Sequence, residues 1–170
     1  MSKIKLLSSN LVNQIAAGEV IERPFSVIKE LVENSIDAKS TQINIMIEDG
    51  GHKSLQVFDN GIGMSKDDLE LAFKRHATSK IETQNDLAKI ETLGFRGEAL
   101  PSIASVSQLS AKSIERGNND GFELTIHGGE VKSLIPTAGL SGTQISVKNL
   151  FYNIPARRKF LKKPDTEQRK

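Results

Sequence analysis

The stretch "TQINIMIEDGGHKSLQVFDN", residues 41–60, constrains the fold more than any other. Ile43, Ile45 and Ile47 alternate with Asn44, Met46 and Glu48, the period of a strand with one buried face. "DGGHK" turns the chain and "SLQVFDN" returns as a second strand. Four more strand-like stretches follow from Gln108 onward: "QLSAKSI", "GFELTIHG", "EVKSLI" and "TQISVKNL", separated by Gly, Asn and Pro. Hairpins with helices set between them predict an α+β two-layer sandwich. Its sheet is mixed and mostly antiparallel, with the helices on one face. The spacing argues against alternating βαβ units.

The helices announce themselves by their starts. Pro24 sits where a first turn tolerates a missing N–H, and the pattern carries the helix to about Ala38. Ser65 followed by Asp68 reads as a capping box opening "SKDDLELAFKRHA". Residues 77–93 lack firm periodicity and read as a long loop. "GFRGEALPSIASV" is a glycine-marked turn into a helix. "NIPARRKFLKK" starts another, with Asn153 as a candidate cap and Pro155 in the first turn.

The helix from Pro24 carries an unusual face. Glu30, Glu33, Asn34 and Asp37 fall within roughly 100° of arc at 3.6 residues per turn. No lysine among them relieves the repulsion. Phe25, Val27, Ile28, Leu31, Val32 and Ile36 fill the opposite half and are expected to face the core. A solvated face explains the acids without any function. A site that needs a base and an oxygen ligand for a hard cation explains them as well. Glu30 and Asn34 lie one turn apart and can address a water and a magnesium ion together.

Three further stretches carry possible chemistry. In "FDNGIGM", Asp59 ends a strand and Gly61 and Gly63 permit tight turns or a close ligand approach. A strand-end aspartate can accept a hydrogen bond from an exocyclic amine. In "LGFRGEAL", two glycines open a helix whose N–H groups can form an anion nest. It is neither a Walker A loop nor a dinucleotide-binding fingerprint. In "SGTQISV", Gly142 and Thr143 precede a strand. Each of these also reads as an ordinary turn, and "HATSK" with Thr78, Ser79 and Lys80 as an ordinary loop.

Composition excludes some classes. The 170-residue chain has no cysteine, so disulfides and thiolate chemistry are ruled out. Its histidines, His52, His76 and His127, show no metal-ligand spacing. No apolar run approaches the ~20 residues that span a bilayer, and no secretory leader is evident, so a cytoplasmic protein is expected. Residues 1–150 hold 16 Lys/Arg against 19 Asp/Glu, and residues 151–170 hold 7 against 2. The basic tail around Arg157, Arg158, Lys159, Lys162 and Lys163 is either a solvated helix or a DNA contact.

In this order and spacing, "KELVENSIDA", "FDNGIGM", "TLGFRGEALPSI" and "SGTQISV" resemble the four nucleotide-binding motifs of the GHKL ATPases. "NQIAAGEVIERP", "RHATSKI" and "LFYNIPARRKFL" narrow the resemblance to the MutL family of mismatch repair proteins. The resemblance implies ATP and Mg2+ as cofactors. It gives Glu30 the role of general base and Asn34 that of magnesium ligand. Glu33 and Asp37 belong to the same motif. Asp59 would recognise the adenine amine with Thr143 in support, and Gly63 would lie against the base. Thr78 and Ser79, with Gly94, Phe95, Arg96, Gly97, Glu98, Ala99 and Leu100, would form the lid and phosphate cradle.

The same resemblance implies an ATP-driven switch in mismatch repair that also dimerises through its N-terminal region. Its partners would be a mismatch-recognition protein of the MutS type, DNA and downstream nucleases. It implies one ATPase domain over 1–170, truncated at its C-terminal end, with weak hydrolysis alone. A second domain supplying a lysine to the γ-phosphate and a dimerisation domain would lie outside it. A nucleotide-binding scaffold without hydrolysis, or a DNA-binding module, are the competing expectations.

Overall fold

The computed structural model describes residues 4–8, 11, 12, 15, 17, 21–74 and 99–159. The expected loop over 77–93, and with it Thr78, Ser79 and Gly94 through Glu98, lies outside the described residues. Four helices are described: α1 (Pro24–Asp37), α2 (Lys66–Ala72), α3 (Ala99–Ser105) and α4 (Pro155–Lys159). Six strands accompany them: β1 (Ile43–Glu48), β2 (Ser54–Asp59), β3 (Gln108–Ile114), β4 (Asp120–His127), β5 (Glu130–Ala138) and β6 (Gly142–Lys148).

The strands form one sheet in the order β1-β2-β6-β3-β4-β5. Every pairing among the described strands is antiparallel, in keeping with a mostly antiparallel sheet. Register stacks side chains in rows across the inner face. Ile47, Leu55, Val147, Leu109 and Ile126 make one row, and Ile45, Val57, Ile145, Ala111 and Leu124 the next. Val27 and Leu31 of α1, Leu69 of α2, and Ile103 and Ala104 of α3 pack on these rows, while Ile45, expected on the buried face of β1, stays 45% exposed. The outer face is polar where Gln144, Lys112 and Glu123 lie side by side. One apolar face and one wetted face require helices on a single side.

The local signals explain most element ends. Ser65 caps α2 by accepting the Asp68 N–H at 3.2 Å. A short 3-10 turn over Asp49–Gly51 joins β1 to β2. Strand β5 runs through Pro136, further than "EVKSLI" suggested. It is the edge among the described strands, the place in a sheet where proline is tolerated. Asn153 does not cap α4. Its amide donates to the Ser105 carbonyl at 2.9 Å, and its Oδ1 is buried without a hydrogen-bond partner.

Candidate functional site

The third row of the inner face breaks the apolar pattern. Asp59, Thr143 and Ser113 sit side by side on β2, β6 and β3. A carboxylate thus stands at the end of the core, only 7% exposed. A buried charge of this kind must be hydrogen-bonded to be tolerated. Three groups supply the bonds. Ser35 of α1 donates its hydroxyl to Oδ2 at 2.7 Å. The Gly61 N–H and the Thr143 N–H donate to Oδ1 at 2.9 and 3.2 Å.

Helix α1 is turned to make that contact. Its buried residues are Pro24, Val27, Leu31 and Ser35. Phe25 and Ile36, expected in the core, are 42% and 48% exposed. The seam against the sheet is therefore rotated toward the acidic side of the helix. Asn34 and Glu30 border the seam and are half-buried, as are Glu33 and Asp37. A freely solvated acidic face does not fit this arrangement. Along the helix, Asn34 adjoins Ser35, and Glu30 lies about 6 Å further toward the N-terminus at 1.5 Å per residue.

The turn after Asp59 is held from several sides. Asn60 Oδ1 accepts the N–H groups of Thr41 and Gln42, both at 2.9 Å. Ile62 N–H bonds to Ala38 O at 2.9 Å, and the Arg116 N–H bonds to Ile62 O at 2.9 Å. Arg116 also reaches the carbonyls of Lys39 and Asn60 at 3.3 Å. Gly63 has φ +72°, and a Cβ there would run into the Ile114 carbonyl. Only glycine suits that position.

The structure thus brings Asp59, the Gly61–Met64 turn, Thr143 and the α1 face together. Of the expected cradle it describes only Ala99 and Leu100, which open α3 half-buried, with Leu100 packed on the core. Ser35 and Ser113 were not singled out from sequence. Ser35 lies inside "KELVENSIDA", and its seam position at one turn from Leu31 was the available signal. A separate recess of about 210 Å3 is lined by Glu70, Phe73, Pro101, Leu124 and Leu134, among others. It shares no residue with the Asp59 site, and its lining is mostly apolar, with Glu70 and Lys74 as its charged members. In the basic tail, Arg157 donates to Ile21 O at 2.6 Å and lies 5.2 Å from the Phe151 ring centre. Arg158 donates to Leu150 O at 2.7 Å. Both arginines are therefore engaged within the chain. Lys159 is exposed, and Lys162 and Lys163 lie outside the described residues.

Residues 21–148 match the family described as histidine kinase-, DNA gyrase B- and HSP90-like ATPase. The chain belongs to this ATPase family. Within it the chain is similar to proteins named MutL. The DNA mismatch repair protein MutL of Bacillus pumilus is 55% identical over 167 residues, covering 98% of this chain and 26% of its own length. That of Acidobacterium capsulatum is 53% identical over 167 residues, covering 98% and 25%. The chain therefore spans about a quarter of the length of these curated relatives. The fold is also that of solved MutL ATPase domains. The Aquifex aeolicus MutL ATPase domain complexed with ADP superposes with a TM-score of 0.66 at 36% identity, covering 88% of this chain and 52% of that one. The N-terminal domain of a DNA repair protein gives 0.71 at 36% identity, covering 87% and 42%. Among the described residues no helix is long and apolar enough to cross a membrane.

Proposed function

We propose that this chain binds and hydrolyses ATP as the nucleotide switch of a DNA mismatch repair protein. The switch would govern contacts with a MutS-type mismatch sensor, with DNA and with a second copy of the protein. The buried Asp59 carboxylate carries the reading. A carboxylate has about four acceptor positions, and three are filled by Ser35, Gly61 and Thr143. The remaining position accepts the exocyclic amine of adenine. That a MutL ATPase domain of the same fold has been solved with ADP supports the choice of nucleotide.

With the base at Asp59, the triphosphate runs along α1 toward its N-terminus. Asn34 offers an amide oxygen and Glu30 a carboxylate one turn on. The Asn34 oxygen is a hard donor that would hold a magnesium ion, and the Glu30 carboxylate is left for the attacking water. Magnesium, when bound, offsets the repulsion between the phosphates and the acids of α1. Glu30 then takes the proton of the attacking water. Thr78, Ser79 and Gly94 through Leu100 are the proposed phosphate cradle, with N–H groups that favour negative charge. Glu33 and Asp37 complete the acidic face. Turnover by this chain alone is expected to be weak, since the resemblance assigns a γ-phosphate lysine to a second domain. The 170 residues are proposed to form one ATPase domain. DNA contact through the tail would rest on its lysines rather than on Arg157 and Arg158.

Asp59→Asn tests the reading. It replaces an acceptor oxygen with a donor and is expected to cut ATP affinity by about 10- to 100-fold, the worth of a hydrogen bond to a charged group. Calorimetric titration of a folded variant with unchanged affinity would remove Asp59 from base recognition.

A further inference from the structure

Ser113 lies at the end of β3, in a stretch that matches none of the nucleotide motifs, and is 1% exposed. Its hydroxyl oxygen accepts the Met64 N–H at 2.8 Å. The same oxygen is 2.8 Å from Thr143 Oγ1 and 3.4 Å from the Gly142 carbonyl. Asp59 performs the matching task on the other side, binding the N–H groups of Gly61 and Thr143. The glycine turn is thus fastened to the start of β6 at both ends, by Asp59 at Gly61 and by Ser113 at Met64.

A serine hydroxyl has one proton and two lone pairs. Met64 takes one lone pair. Two arrangements satisfy the rest. If Ser113 donates to Thr143, the Thr143 proton turns away from Ser113. If Thr143 donates to Ser113, the Ser113 proton goes to Gly142. In either case Ser113 decides whether Thr143 offers a donor or only lone pairs beside Asp59. It also sets the height of Gly63, which rests against the carbonyl of Ile114, the next residue of β3.

We infer that Ser113 is a positioning residue for base recognition, holding the glycine turn and the Thr143 hydroxyl where Asp59 can read a 6-amino purine. This rests on the adenine-nucleotide reading above. Removing the hydroxyl leaves the Met64 N–H without its acceptor and lets Thr143 rotate.

The test compares ATP with purine riboside triphosphate, which lacks the 6-amino group. Calorimetry on the wild-type chain and on Ser113→Ala, both with magnesium, gives the ratio of the two affinities. The expected result is that the ratio shrinks by about 3- to 10-fold in the variant, the worth of one net hydrogen bond. A merely structural role would weaken both nucleotides alike. An unchanged ratio in a folded variant therefore overturns the inference, whether or not the melting temperature falls. Should Ser113→Ala fail to fold, Ser113→Cys, a somewhat larger side chain with a much weaker donor and acceptor, is judged by the same ratio. A wild-type chain that binds neither nucleotide overturns the adenine reading itself, and the role of Ser113 with it.

Discussion

Asp59 is a charge placed where the core would otherwise end in an apolar row. Its tolerance depends on Ser35, whose hydroxyl is buried with it. Ser35→Ala is expected to destabilise the fold by about 1.5–3 kcal/mol, since a hydrogen bond to an ionised group is lost in a buried place. Urea denaturation measures this, and a variant as stable as the wild type would mean that the contact contributes nothing. Gly63→Ala should also lower stability, by about 1–2 kcal/mol for the left-handed backbone alone, plus the displacement of Ile114. A melting temperature unchanged from wild type would contradict that. Asp59 and Thr143 were singled out in the sequence because each stands at a strand end within a matched motif, and the fold sets them side by side. Ser35 and Ser113 were not. Serine is mostly an exposed residue, and these two find their partners 24 and 30 positions away in the chain. Burial and pairing at that separation are products of the fold.

The elements were largely legible because each carries a local signal. Period-two alternation marks the strands, and Ser65 and Pro24 mark helix starts. The orientation of α1 was not. Hydrophobicity alone points its Phe25–Ile36 side at the sheet, yet both residues are exposed and Ser35 is buried in their place. One serine-to-carboxylate bond and the packing of Val27 and Leu31 outweigh two exposed apolar side chains. Leu31→Ala should therefore cost about 2–5 kcal/mol, and Ile36→Ala should stay within about 0.5 kcal/mol of wild type. Equal costs in chemical denaturation would contradict the observed seam. The same rotation draws Glu30 and Asn34 to the border of the sheet. Glu30→Ala is expected to leave ATP binding intact and to slow turnover by about 10²–10⁴, the usual range for a general base. Single-turnover assays decide it, and an unchanged rate would exclude Glu30 as the base. Misreading Asn153 as the cap of α4 has a similar origin, because its amide bonds across the fold to Ser105.

At the scale of the molecule, the sheet order could not be read from the chain. Hairpin pairing explains β1 with β2 and β3 with β4, but β6 inserts between β2 and β3. That insertion builds the site, since it sets Thr143 between Asp59 and Ser113. Helix α1, which carries the acids, meets this polar row through the Ser35–Asp59 bond. On the proposed reading, the acids would repel a bare triphosphate and accept one whose charge a divalent ion offsets. Calorimetric titration of the 170-residue chain with a non-hydrolysable ATP analogue, with magnesium and with chelator, tests this most directly. Saturable binding in magnesium that weakens markedly in chelator is the predicted result. A folded chain with no affinity for the analogue under either condition would contradict the account.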